Sequence, residues 1–319
     1  MKPNNLRSHL QPSINKMNDH SATRAEGWPD YLACWRSGRP ADDARFKAAF
    51  QRHAPTLSFE YLPLAGERQI APAARVQYVW CVSGQISIEL TGSWHTETHR
   101  HVDDRQQYEL RSGDVVVASP AVSARLWGQG AIWSIASECS VEPPFVGLKR
   151  LEALPDTSGG CNVGAQAFRR LQLTWEPSPA AEDADGRNVL GCHVVWIAAD
   201  TSRAHYHPVP PIGGGALQNE LYLVLDPAEH GLRPGALTPG VWTYPEPGNW
   251  GCRDFTPLQP GDVLLMPAGI AHRAVDVLAC VIAIPGFKPG NEIYVDADIA
   301  AWTARQTSTD QDVRKGIHP

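Results

Sequence analysis

Two stretches of this chain repeat one design, and the repeat narrows the fold more than any other feature. Gln77-Tyr-Val-Trp-Cys-Val-Ser-Gly84 reads as a strand ending in a tight turn, followed by Ile86-Ser-Ile-Glu-Leu90 and then by a Gly-Asp turn opening Gly113-Asp-Val-Val-Val-Ala-Ser119. Glu220-Leu-Tyr-Leu-Val-Leu-Asp-Pro227 and Gly261-Asp-Val-Leu-Leu-Met-Pro267 restate that layout. The offsets are 143 residues from Gln77 to Glu220 and 148 from Gly113 to Gly261, close enough to indicate an internal duplication. Around both copies, short runs of Val, Ile, Leu, Tyr and Trp are separated by Gly, Pro and Asp turns, so the chain reads as two β domains.

The flanking segments are of a different kind. From Met1 to about Pro40 isolated apolar residues sit among Asn, Ser, His and Arg, which predicts a loosely held arm. Asp42 to His53 has an acidic start, Phe46 and Phe50 four apart and a basic end, and reads as a short amphipathic helix. The organisation expected is an arm and helix over 1–55, a first β domain over 56–140, a connection over 141–187, a second β domain over 188–290 and a tail over 291–319. An added strand is expected near Ala167 to Trp175, within the connection.

Composition excludes several classes of function. A net charge of -6, from 28 Lys+Arg against 34 Asp+Glu, provides no broad cationic field for phosphate backbones, so no nucleic-acid partner is expected. The longest strongly apolar run, Val277 to Ile284, is far shorter than the ~20 residues of a bilayer helix, and no leader is readable at Met1 to Ser13. Seven scattered cysteines without a Cys-x-x-Cys pair read as reduced thiols of a cytoplasmic protein.

The chemistry concentrates in the second repeat. His205-Tyr206-His207 places two imidazoles on one side of an extended segment, half of a metal site, and sends Tyr206 to the other. Glu220 heads a strand whose Tyr222 and Val224 share its face, and a Pro267-x-Gly269 corner redirects the chain before His272. Three imidazoles and a carboxylate suit Fe, Mn, Ni, Cu or Zn with positions left open.

Taken together these residues resemble the cupin superfamily, whose first motif runs Gly-x5-His-x-His-x3,4-Glu-x6-Gly and whose second runs Gly-x5-Pro-x-Gly-x2-His-x3-Asn. Gly261, Pro267, Gly269 and His272 match the second motif, with Asp276 in place of its final Asn. His205, His207 and Glu220 match the first in type, while Ala199 and Pro227 replace its glycines and Pro208 to Asn219 stand where the family has three or four residues. That long insertion leaves two ligand sets open: His205, His207, His272 and Glu220, or the three histidines with Glu220 orienting one of them.

The resemblance covers roughly Leu57 to Gly286 and implies two tandem jelly-roll barrels, a bicupin, all-β apart from the short helix. It implies one divalent ion per chain, iron foremost, held by His205, His207, Glu220 and His272. The first barrel is expected to hold none, because Gln77 stands at the Glu position and Ala124 at the His position. By the same resemblance the chain looks most like a non-haem metal dioxygenase acting on a small organic substrate, with Glu220 and Tyr222 as catalytic groups, in a homodimer. The alternatives are a metal-dependent isomerase or sugar-modifying enzyme, and a non-catalytic metabolite-binding bicupin.

Other polar residues carry weaker readings. Arg273 is a candidate partner for a carboxylate or phosphate, and Trp242, Tyr244 and Trp250 are candidates for a rim or lid, with packing beneath a long loop as the alternative. His95, His99 and His101, beside Glu97, Asp103 and Asp104, form a second titratable cluster that reads as a solvated hairpin, and His193 reads as a strand residue without chemistry.

Overall fold

The computed structural model describes residues 31–36, 40–70, 75–96, 100–137, 145–156, 167–173, 191–197, 202–215, 217–285 and 290–315. The first half of the chain runs β1 (Ala33–Trp35), α1 (Pro40–His53), β2 (Leu57–Ile70), β3 (Val76–His95), β4 (His101–Arg111), β5 (Val115–Ala118), β6 (Ser123–Ser137) and β7 (Val146–Lys149). The second half runs β8 (Ala167–Leu173), β9 (Gly191–Ile197), β10 (His205–Tyr206), β11 (Asn219–Val224), β12 (Gly240–Tyr244), β13 (Asp254–Pro257), β14 (Val263–Met266), β15 (Ala271–Val275), β16 (Leu278–Ile284), β17 (Ile293–Tyr294) and α2 (Asp296–Lys315). The protein is all-β in its core, built as two tandem jelly-roll barrels.

The first barrel is one sheet, β2-β6-β3-β5-β7, with β4 added to the far half of β3. A register shift between Cys81 and Ser83 lets β3 serve both walls. Before it, Val79 and Cys81 fill the barrel interior; after it, Ile86, Ile88 and Leu90 do. A one-residue slip reverses the face of every later side chain, so the bulge bends the strand and keeps its apolar residues inside.

The second barrel faces two sheets against each other, β1-β14-β11-β16-β9-β8 and β13-β12-β15-β10-β17. Tyr222, Val224, Val241, Leu264, Met266, Ala274 and Val281 pack in its interior. On β11 the alternate residues Leu221 and Leu223 point the other way and meet Tyr78, Trp80, Val115, Val117, Trp133 and Ile135 of the first barrel. One continuous apolar layer thus joins the barrels back to back, and Phe46 and Phe50 of α1, both buried, seal its edge.

The duplication is visible in the pairing. β3 lies between β5 and β6 with Gln77 opposite Ala118, as β11 lies between β14 and β16 with Glu220 opposite Met266. The added strand expected near Ala167 to Trp175 is β8, paired with β9, on which His193 lies opposite Val281.

Both ends of the chain differ from expectation. The arm expected to be loose carries β1, which pairs with β14 over Ala33 to Trp35 and is buried throughout. Its run Leu32-Ala33-Cys34-Trp35 is apolar on both faces and is held between the second barrel's interior and the inter-barrel layer. The expected tail carries β17 and α2, whose Ile299 and Trp302 pack on Tyr244 and Trp250 outside the five-stranded sheet. Trp242, Tyr244 and Trp250 are therefore packing residues of that outer face, and the rim or lid expected there is not formed by them. Arg273 lies opposite Trp242, between inward His272 and inward Ala274, and so faces away from the barrel interior.

No helix among the described residues is long and apolar enough to cross a membrane. Cys34, Cys81 and Cys280 are buried and Cys252 is half-buried.

Candidate metal centre

The sequence elements that carry the candidate ligands meet at one end of the second barrel. β10 lies between β15 and β17, with His205 directly opposite His272 on one side and Tyr294 on the other. β12 extends the same row, placing Thr243 opposite His272. Directly paired residues share a face, so Thr243, His272, His205 and Tyr294 form one line across the five-stranded sheet. Glu220 reaches the same space from the facing sheet.

The Pro-x-Gly corner has a specific task here. Gly269 donates its N–H to the His207 carbonyl at 2.8 Å and holds φ 87, a left-handed conformation that favours glycine. It ties the end of β14 to the chain just past β10, and so sets His207 against His272. Asp276, at the place of the second motif's Asn, has φ 52 between β15 and β16 and accepts a hydrogen bond from Gly235 N at 2.7 Å, a turn role.

All four candidates are almost fully enclosed: His205, His207, Glu220 and His272 are 3, 2, 3 and 1% exposed. One ligand atom each from His205, His207 and Glu220 lies within 4.8 Å of the others. His272 completes the group, its Nε2 3.0 Å from Glu220 Oε2, while His207 Nε2 is 3.0 Å from Glu220 Oε1. The His205 and His272 rings are 4.5 Å apart between centroids.

The other ring nitrogens fix the tautomers. His207 Nδ1 is 2.7 Å from the Asn291 carbonyl and His272 Nδ1 2.9 Å from that of Ile270, with His205 Nδ1 at 3.4 Å from that of Arg203. A carbonyl can only accept, so each Nδ1 carries the hydrogen and a neutral imidazole presents a bare Nε2. Two bare Nε2 atoms at 3.0 Å from carboxylate oxygens would be acceptor against acceptor. A positive species between them removes the conflict: a proton, or a metal ion bound by the same atoms.

The electrostatics follow from that arrangement. Burial alone would lower the His207 pKa, but the Glu220 carboxylate outweighs it and raises the value above 6.5. Burial would likewise raise Glu220, yet the charge and hydrogen bonds of His207 and His272 hold it well below the carboxylate range. His205 is pushed down to about 3 by burial first and by His272 second, and is a neutral donor at ordinary pH.

Tyr222 lies inside the barrel as expected, its ring edge-on to His272 at 6.1 Å. Tyr206 packs on the outer face, as alternation requires. Both Glu220 oxygens are engaged by histidines, Oε1 by His207 and Oε2 by His272. Of the second cluster, His95 and His101 face each other across the β3–β4 pair and His101 contacts Ser93 and Asp103, whereas Glu97 and His99 lie outside the described residues.

Five polar neighbours of the centre were not anticipated. Gln218 Nε2 is 3.4 Å from His207 Nε2, and Asn291 accepts from Ile212 N at 3.0 Å through its side chain while its carbonyl holds His207. Tyr294, 5.9 Å from the His205 ring, donates to Glu292 at 2.7 Å and carries the Arg203 guanidinium over its face at 3.9 Å. Arg203 is two residues before His205, a spacing that could have flagged it; Asn291 to Tyr294 gave only a short Ile-Tyr-Val run before the acidic start of α2.

No family model matches the chain, and no curated protein matches it. Among solved structures it is similar to an oxalate decarboxylase of Lactobacillus farciminis in complex with formate, at 9% identity and TM-score 0.46, over 79% of this chain and 83% of that one. It is similar to an IolB-like protein of Salmonella typhimurium at 12% and 0.46, over 75% and 87%, and to vicilin of tomato, Solanum lycopersicum, at 12% and 0.42, over 75% and 76%. The chain's own strand pairing gives it two tandem β-barrels of jelly-roll type.

Proposed function

We propose that the second barrel is the active site of a metal-dependent enzyme, with His205, His207, His272 and Glu220 holding one divalent ion, and that it oxidises a small organic substrate with O2. The observation that carries the reading is the pairing of carbonyl-fixed Nδ1 atoms with Nε2 atoms turned onto one carboxylate. That donor set fits an ion of the Fe(II), Mn or Zn kind: three imidazole nitrogens and one carboxylate, buried, with a single negative charge. When bound, such an ion supplies Lewis acidity and open positions for a substrate oxygen and for O2.

The chain's own residues have separable tasks. Glu220 neutralises charge and orients His207 and His272. Tyr222 and the apolar interior behind it exclude water from one side of the centre. Glu292 and Tyr294 stand outside the ligand set, half-buried and hydrogen-bonded to each other, and are the groups available to exchange a proton with a substrate. That pair also favours the second reading, a metal-dependent isomerase, which needs a proton moved and no O2.

Elemental analysis of protein purified without chelators, beside His205→Ala, tests the centre. About one iron per chain, lost in the variant, together with O2 uptake on metal-chelating phenols or diketones, supports the first reading. Zinc or manganese without O2 uptake favours the second, and no metal after reconstitution refutes both.

A further inference from the structure

Among the described residues the strongly exposed large apolar side chains are Val209, Ile212, Leu217 and Leu237, at 59, 50, 40 and 47%. Three of these four lie on the one segment that joins His207 to Glu220. Single exposed apolar residues are ordinary, whereas a cluster confined to one loop marks a surface that something covers.

The segment's position says what. Val209 is two residues from His207 and Leu217 three from Glu220, so neither backbone can lie more than roughly 11 Å from a candidate ligand's. Ile212 is held closer than its place in sequence requires, because its N–H is bonded to the Asn291 side chain while the Asn291 carbonyl holds His207. Val209 packs beside Gly269, the corner glycine bonded to the His207 carbonyl. Gly213, Gly214 and Gly215 all have left-handed φ, of 72, 78 and 92, which lets the chain fold back within this short span. Beside His205 the neighbours are polar, with Arg203, Glu292 and Tyr294.

We infer that this loop is a specificity element binding the apolar body of the substrate, and that the substrate class is a small acid with a chelating oxygen head and an aliphatic or aromatic tail. The inference rests on the metal reading proposed above. The head belongs at the four-ligand centre and the tail against Val209, Ile212 and Leu217, on the loop that the Asn291 and Gly269 contacts tie to His207.

The test uses full-length protein loaded with cobalt(II) and a series of straight-chain 2-oxo acids from about four to about eight carbons, each binding constant measured by calorimetry. The comparison protein carries Val209→Ser, Ile212→Ser and Leu217→Ser, all at exposed positions, with its metal content and thermal transition checked. The unmodified protein should bind each longer acid roughly two- to fourfold more tightly per added methylene. The triple variant should show a flat series, the two proteins converging at the shortest acid. Equal slopes in both proteins, with metal bound and the shortest acid held, overturn this inference alone. Absence of metal from the unmodified protein overturns the metal reading and this inference with it. No slope in either protein, with sedimentation changing from dimer to monomer in the triple variant, assigns the loop to self-association and also overturns it.

Discussion

Metal binding at this centre should depend on pH in a way set by individual ligands. The perturbation is acidification from about pH 8 to about pH 5.5, across the ordinary histidine range. An ion must displace whatever protons its ligands hold. His205, pushed down to about 3, has none to release, and Glu220, held well below the carboxylate range, has none either. His207 is the opposite case: Glu220 raises it above 6.5, so below that raised value it is protonated and the ion competes with the proton. Apparent affinity should therefore fall by at least about tenfold, or about 1.4 kcal/mol, for each pH unit below the His207 pKa. Competition against a chromophoric chelator reads the slope, and calorimetry in two buffers of different ionisation enthalpy reads at least one proton released per ion on the acid side. Affinity independent of pH over this interval, with no proton release, would refute the argument that Glu220 bridges protonated imidazole in the metal-free protein.

Three further outcomes follow from burial and register. For His205 the unfolded state binds a proton below 6.5 while the folded state does not until about 3, so metal-free stability should fall as the pH is lowered across that window, by up to about 1.4 kcal/mol per unit; His205→Gln should flatten the urea-midpoint profile there. Trp133→Ala removes a fully buried ring stacked on Phe59 at 4.7 Å in the inter-barrel layer, and should cost about 3–5 kcal/mol in denaturant unfolding without altering metal affinity. His95→Ala with His101→Ala should leave the metal content of the purified protein unchanged, and loss of an ion in that variant would assign one to the β3–β4 hairpin.

What could be read from the sequence was what is local. Alternation along β11 placed Glu220, Tyr222 and Val224 on one face because the side-chain period of a strand is two residues, and the structure puts them there. The His-x-His pair and the Pro-x-Gly corner were legible for the same reason, since a corner and a strand each span a few residues. The engagement of both Glu220 oxygens was not legible, because it depends on His207 and His272 arriving from 13 and 52 residues away. Nor were β1 and β17, of three and two residues, too short to show any period.

Those two short strands share a position that makes their omission instructive. β1 closes one edge of the six-stranded sheet and β17 one edge of the five-stranded sheet, so each sheet of the second barrel is finished by a segment from outside the stretch that carries the motifs. An open sheet edge exposes unpaired backbone groups and invites aggregation. A fragment restricted to 188–290 would lose these two edge strands and β8, the other edge of the six-stranded sheet, along with Asn291, whose carbonyl fixes the His207 tautomer. It would also uncover Leu221, Leu223, Leu265 and Ile282, which the first barrel and arm bury. At roughly 1.5–3 kcal/mol for each such side chain, the loss is comparable with the whole stability of an ordinary domain. That fragment should aggregate or bind an apolar dye strongly, and should hold no metal, although every candidate ligand is present in it. A monodisperse fragment with a cooperative thermal transition and one bound ion would show instead that the first barrel and the chain ends are dispensable to the centre.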